Sequence, residues 1–353
     1  VLRLRQSLSR PGAVRSGAVT GLAQVALSLS AAGAGALLAQ KFGRTEETDG
    51  FLAAYAVYTL LVLAAQAFRM VVVPELTRAA AERRLGGEAR AYGLAFLVLA
   101  VPVCVVVVLV AHPLGELVTG SLPPRSADVA GQALEVLVPA AFVQLLAALC
   151  ASVLAARDSY GTAALGFGAS GLVGLAVFAA LAGPVGIVAL AWGLLVNAVV
   201  ALTVPLVVLV RRGLLHGPAA PSAVGARLWS LFEGAAVPLA LQAAYLLALR
   251  FAAKLGVGSV TSFTYAYLAA STLVGATGFA LGVISSAPLT RRGIDGEAAG
   301  RHIVHASWVA LSFVGAAAGV FALAGGRIVH FVLGDQYGGR VGRDLGLLVV
   351  YLF

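Results

Sequence analysis

The chain has 353 residues, 60% of them hydrophobic and only 11% charged, with a mean hydropathy of +0.97. An ordinary soluble domain carries roughly 25% charged residues, and a buried soluble bundle does not supply about ten apolar helices in succession with charges confined to the gaps. The composition excludes a soluble domain, and the formal charge of +9 is then a matter of membrane topology, not of nucleic-acid binding.

Apolar segments long enough to cross about 30 Å of hydrocarbon run over 17–40, 50–74, 91–111, 133–156, 160–182 and 185–210. The opening Arg3, Arg5, Arg10 and Arg15 resemble the start of a signal peptide, but Gly17 to Gln40 is too long for its apolar core. It reads as a retained first helix. Past 210, Arg-Arg-Gly, His-Gly-Pro and Ala-Pro-Ser between Arg211 and Arg227 mark a loop. Apolar segments resume over 228–253, 259–288, 303–326 and 344–353. The expectation is an all-α polytopic membrane protein with about ten transmembrane helices. It has a six-helix lobe over 1–213, a cytoplasmic linker over 214–227 and a partial, four-helix second lobe over 228–353.

The second lobe repeats the first. Lys41-Phe42-Gly43 and Leu76-Thr77-Arg78 recur as Lys254-Leu255-Gly256 and Leu289-Thr290-Arg291, both at an offset of 213 (254 − 41 and 291 − 78). Ala53 and Ala56 meet Ala266 and Ala269 at the same offset, although the intervening helices are free to drift. One unit used twice points to a transporter with a substrate path between two pseudo-symmetric bundles. Further on, Gly131, Leu134, Leu137, Val138 and Phe142 correspond to Gly342, Leu345, Leu348, Val349 and Phe353 at an offset of 211. Phe353 then falls in mid-helix, so the sequence reads as a fragment lacking the rest of the tenth helix and two more.

Basic residues set the orientation. With the N-terminus inside, the inner segments hold 15 arginines, among them Arg78, Arg83, Arg84, Arg90, Arg157 and Arg227, against 7 basic residues outside. The N-terminus is therefore expected in the cytoplasm. Six helices return the chain to the same side, which makes the two copies parallel repeats.

No catalytic constellation is visible, and neither an enzyme nor a cofactor is expected. Cys104 and Cys150 lie within apolar runs as packing residues. His112, His216, His302, His305 and His330 fall near membrane edges, and His302 with His305 lacks the ligand company of a metal site. Gly166, Gly168, Gly171 and Gly174 lie in an apolar run with no Lys-Ser/Thr after them, which indicates close helix packing in place of a phosphate loop. The ionisable residues in or near the membrane carry more information, because burying an unpaired charge is costly and marks a cavity. They are Arg69, Glu135, Glu233 and Arg250, with Lys41, Asp49 and Lys254 at helix ends. Arg69 is either a cavity ligand or an interfacial anchor, and Arg250, four residues from Lys254, has the same two readings. Lys41 and Lys254 are repeat mates, a pair that would face an anionic substrate or serve as plain anchors. Gln24, Gln66, Gln144, Asn197 and Gln242 are amides within apolar helices and need partners there.

Phe42-Gly43 followed by Thr48-Asp49-Gly50-Phe51 resembles the step between the first two helices of the MurJ/MviN lipid II flippases. Val73-Pro74 with Leu76 is similar to their F-V-P motif, two residues displaced. The run from Leu137-Val138-Pro139-Ala140-Ala141-Phe142 to Leu154-Ala155-Ala156-Arg157 resembles their fourth helix and its following turn, and Tyr265-Ala266 the start of their eighth. The resemblance implies two six-helix lobes around a cavity that alternates between membrane faces. It also implies cavity arginines that engage the diphosphate of a polyprenyl-linked sugar, as guanidinium geometry favours. Here the family's expected arginines fall on Ser28, Ala34, Val62 and Leu268, while Asp49 aligns and Arg250 matches an arginine of the seventh helix.

The leading expectation is thus a flippase for a polyprenyl-diphosphate sugar, possibly lipid II, in the bacterial cytoplasmic membrane. Its partners would be membrane lipids and a lipid-linked anionic substrate, with Arg69 and Arg250 on the head group and Asp49 ordering the second helix or pairing with Lys41. The alternatives are a cation-coupled multidrug antiporter of the MATE type, with Glu135 or Glu233 as coupling carboxylate, and a non-transporting partner in cell-wall assembly.

Overall fold

The computed structural model describes residues 11–157, 159–217, 224–272 and 296–352, all helix or short connection with no strand among them. The side chains of Gln24, Gln66, Arg69 and His302, and the repeat mates Leu289, Thr290 and Arg291, lie outside the described residues.

Helix α1 spans Pro11–Phe42 and α2 spans Glu46–Ala81. Between them Gly43 takes a left-handed backbone at φ 62°, the usual way a helix ends. Thr45 then caps α2, its hydroxyl accepting from Thr48 N at 3.3 Å. Glu46, Glu47 and Asp49 in the first turn suit the positive end of the helix dipole. Helix α3, Leu85–Leu109, is followed across Val110 by a short helix α4, Ala111–Thr119, which the apolar segments do not predict. Pro123 and Pro124 start α5, Pro124–Ala155, where proline fits because no first-turn N–H is needed. Helix α6 is Tyr160–Leu181 and α7 is Ala189–Arg211. Helix α8 is described over Val224–Ala253 and takes in the four residues before the predicted apolar segment. Arg227 therefore belongs to α8. Helix α9 is described over 259–272, followed by α10, Gly296–Leu333, and α11, Gly339–Leu352.

Among the described residues each of the ten predicted segments falls on a helix, and residues 273–288 of the segment 259–288 lie outside them. Six helices among the described residues are long and apolar enough to cross a membrane. Their burial separates two roles. The span of α5 is 67% buried and that of α3 only 28%. Ala130, Ala133, Ala140, Ala141, Ala147 and Ala151 let neighbouring backbones approach α5. Helix α3 instead turns Leu94, Leu97, Val98, Val101, Val105 and Leu109 outward, the surface a lipid phase needs.

The chain packs as two compact units. The first comprises residues up to Leu38 and Thr45–Val257. Here α2, α4 and α7 surround α5, α6 lies on α7, and α8 packs on α2 and α3. The glycines of α6 do pack closely: a Cβ on Gly168 would lie 3.0 Å from Ala23 of α1, and one on Gly174 2.7 Å from Gly193 O of α7. The second unit comprises Ala39–Arg44 and Gly258–Phe353. Its core gathers Ala39, Tyr265, Ala266, Ala270, Val329, Leu333, Tyr337, Leu345 and Val349. Tyr265 meets Tyr337 edge-on, ring centroids 5.7 Å apart. Arg44 Nη2 donates to Gly258 O at 3.2 Å. Packing thus groups α8 with α2 and α3, whereas sequence repetition assigns it to the second lobe.

Candidate functional site

Charged side chains join the helices of unit 1 at both of its ends. At the arginine-rich end, Arg227 Nη2 of α8 donates to Glu88 Oε2 of α3 at 2.6 Å, both side chains largely buried at 12% and 16% exposure. The same guanidinium lies 5.3 Å from the centroid of the Tyr92 ring, a cation–π contact. Tyr92 Oη donates to Glu75 of α2. Arg84 shares Glu88 through its Nη1 at 3.3 Å and also pairs with Glu82. His216 and Gly217 are held against α3 too, since Arg90 Nη2 donates to Gly217 O at 2.7 Å and Gly86 leaves room for the backbone of His216.

At the opposite end, Arg250 Nη1 donates to Leu117 O of α4 at 3.1 Å. Arg227 and Arg250 are 23 residues apart (250 − 227), about 35 Å along a helix. That matches the roughly 30 Å hydrocarbon layer with its edges. Helix α8 is therefore stapled to α3 and α4 near both membrane surfaces. Between the staples Gln242, Tyr245 and Leu249 are buried, and Gln242 Nε2 makes no hydrogen bond.

The first turn of α2 is joined to the start of α5. Arg125 Nη2 pairs with Glu47 at 2.9 Å, and Ser126 Oγ donates to Glu46 O at 2.8 Å. Gly50 packs directly on the Ser126 backbone, where a Cβ would collide with Ser126 O. Asp49 is fully buried in this joint.

The expected site residues are placed as follows. Arg250 and Asp49 sit at the α4/α5 end of unit 1, Arg250 exposed and Asp49 buried. Lys41 is exposed in the last turn of α1. Lys254 is exposed just after α8, its Nζ 5.4 Å from the Phe251 ring centroid. Glu135 is exposed on α5; Glu233 is exposed on α8 and accepts from Trp229 Nε1 at 2.7 Å. Arg69 lies in α2. Gln144 Oε1 and Asn197 Oδ1 are buried without a hydrogen-bond partner.

The family model for the lipid II flippase MurJ matches residues 38–329. The chain belongs to this family. Among solved structures, the MurJ lipid II flippase in its inward closed conformation superposes with a TM-score of 0.71 at 17% identity, covering 94% of this chain and 70% of that one. An inward-facing multidrug resistance MATE transporter of the MOP superfamily gives 0.70 at 16% identity, with 91% and 75% covered. A MOP superfamily transporter from Pyrococcus furiosus gives 0.61 at 15%, with 96% and 78% covered. At such identities these likenesses show the fold alone. No curated protein sequence is matched. This MurJ-family member is a multi-pass membrane protein of a transporter family.

Sequence reasoning treated Arg227 as a topological charge and passed over Glu75, Glu88 and Tyr92. One signal was available: Glu75 and Glu88 are two of 15 acidic residues, and both stand in the arginine-rich inner segments.

Proposed function

We propose that this chain moves a polyprenyl-diphosphate-linked glycan of the lipid II type across the bacterial cytoplasmic membrane by alternating access, making and breaking no bond. The observation that carries this reading is the family match over residues 38–329, which takes in Asp49, Arg69 and Arg250. In this reading residues 1–213 and the chain from α8 onward are the two lobes, the segment between them is the cytoplasmic linker, shorter than the expected 214–227 because Val224 to Arg227 are helical, and the N-terminus is cytoplasmic. Arg69 and Arg250 bind the diphosphate, since guanidinium groups match phosphate oxygens in pairs. Lys41 and Lys254 attract it to the cleft mouth, and Asp49 orders the start of α2.

Arg250 is exposed and spends its hydrogen bond on a main-chain carbonyl in this state. A carbonyl is a weaker partner than a phosphate, so the guanidinium can exchange one for the other when substrate arrives. The MATE-type fold is an equally good geometric fit. Drug–cation exchange, however, needs a carboxylate in a water-poor cavity, and Glu135 and Glu233 are both exposed.

The test is complementation of a flippase-depleted bacterium, together with accessibility of the lipid-linked sugar from outside. Full activity of the Arg69→Ala, Arg250→Ala double variant removes the proposed site. Cation-dependent drug efflux lost in Glu135→Gln or Glu233→Gln replaces the reading with the antiporter. Absence of either transport together with capture of a cell-wall assembly protein replaces it with a scaffold.

A further inference from the structure

At the arginine-rich end of unit 1 a cavity of about 430 Å³ opens among Arg83, Leu85, Gly86, Arg157, Gly213 and His216. Its size falls within the roughly 300–1,000 Å³ of small-ligand sites. Among the described residues no carboxylate lines it. The described acidic residues nearby are engaged elsewhere: Glu82 and Glu88 hold Arg84 and Arg227, and Glu75 holds Tyr92. Arg83 and Arg157 make no ion pair among the described residues.

Two features of the backbone point the same way. Arg83 adopts φ 59°, the only non-glycine residue with a left-handed backbone among those described. That conformation is strained for an arginine, and such strain gathers at functional sites. Beside it, α3 starts at Leu85 without a side-chain cap, so the positive end of a 25-residue helix faces the cavity with first-turn N–H groups unclaimed by a side chain. The helices whose ends form the cavity are membrane helices, which puts it at the level of lipid head groups.

We infer that this cavity binds a phosphate group, presented by the head group of an anionic phospholipid or as free inorganic phosphate. Basic pockets between membrane helices hold acidic lipid head groups by this chemistry. None of the residues proposed for the transported substrate lines it, so occupancy here is separate from transport and would stabilise the end of the bundle where α2, α3, α5 and α7 meet.

The experiment follows thermal unfolding of the purified full-length protein in dodecyl maltoside, titrated separately with dioleoyl phosphatidylglycerol, dioleoyl phosphatidylcholine and sodium phosphate. Phosphatidylglycerol should raise the melting temperature. Arg83→Gly removes the charge while relieving the strained turn, and Arg157→Gln removes the second charge. Each should weaken the titration midpoint about fivefold. Arg125→Gln, whose partner Glu47 lies at the other end, should leave it unchanged. Stabilisation by sodium phosphate with the same variant dependence assigns the site to free phosphate; stabilisation by phosphatidylglycerol alone assigns it to lipid. The inference is overturned if phosphatidylcholine stabilises equally, if neither anion stabilises, or if the variants titrate like the parent. Should Arg83→Gly fail to fold, Arg157→Gln alone decides, because it leaves the Arg83 turn intact.

Discussion

Gly115 of α4 rests on the backbone of Gly131 of α5, where a Cβ on Gly115 would lie 2.8 Å from Gly131 N. Gly326 and Gly342 stand 211 residues further on (326 − 115 and 342 − 131), and a Cβ on Gly342 would lie 3.1 Å from Gly326 O. The same glycine-on-glycine crossing is therefore built once in each packing unit.

Alanine at these crossings should destabilise both units. At Gly115 the new methyl collides with Ala127 O and at Gly342 with Tyr337 O, neither of which is a side chain able to turn away. Gly115→Ala and Gly342→Ala should each lower stability by about 1–3 kcal/mol. Gly93→Ala, which meets only the end of Leu149 at 3.8 Å, should be neutral or mildly stabilising. Unfolding in detergent, followed by circular dichroism, makes the comparison.

The Arg227–Glu88 pair is mostly shielded from water, so removing one partner strands the other. Arg227→Ala and Glu88→Gln should each destabilise by roughly 2 kcal/mol, while the double variant should lose less than the sum. Additive losses in a double-mutant cycle would show that the contact contributes no coupling.

For transport, Arg69→Ala and Arg250→Ala should each reduce flipping by at least about tenfold, as expected when one charge-assisted phosphate contact of about 1.5–3 kcal/mol is lost. Arg250→Lys should recover only part of the activity, because an ammonium lacks the paired donors of a guanidinium. Equal activity of Arg250→Lys and the parent would argue for simple charge attraction.

Gly256, at φ 99° with open space where a Cβ would stand, isolates the cost of the left-handed turn from crowding. Gly256→Ala should destabilise by about 1–2 kcal/mol, and Gly256→Asn by less, since asparagine tolerates this region better. Equal effects of the two substitutions in thermal unfolding would contradict the assignment.

Apolar run length revealed the helices because hydrocarbon thickness dictates it, and α9 starts at residue 259, where the 213-residue offset from Glu46 places it. Helix α4 was invisible for the same reason: nine residues cannot span a bilayer, so a length criterion passes over them. Arg250 stood out because it interrupts an apolar run. Arg227 did not, because its role comes from Glu88, 139 residues away (227 − 88), and no local pattern encodes that partner. The lining of the cavity is equally non-local: Arg83, Arg157 and His216 come from three separate connections, and only the φ angle of Arg83 sets it apart from the other arginines at that end.

The contact of Gly50 with Ser126 has a mechanical meaning for a protein that must change shape. With Glu47, Arg125 and the Glu46 carbonyl bonded around it, the joint leaves α2 and α5 no slack to slide or twist against each other. The contact restrains the start of α2 against the start of α5, so bending demanded by the transport cycle meets less resistance at other places along the chain.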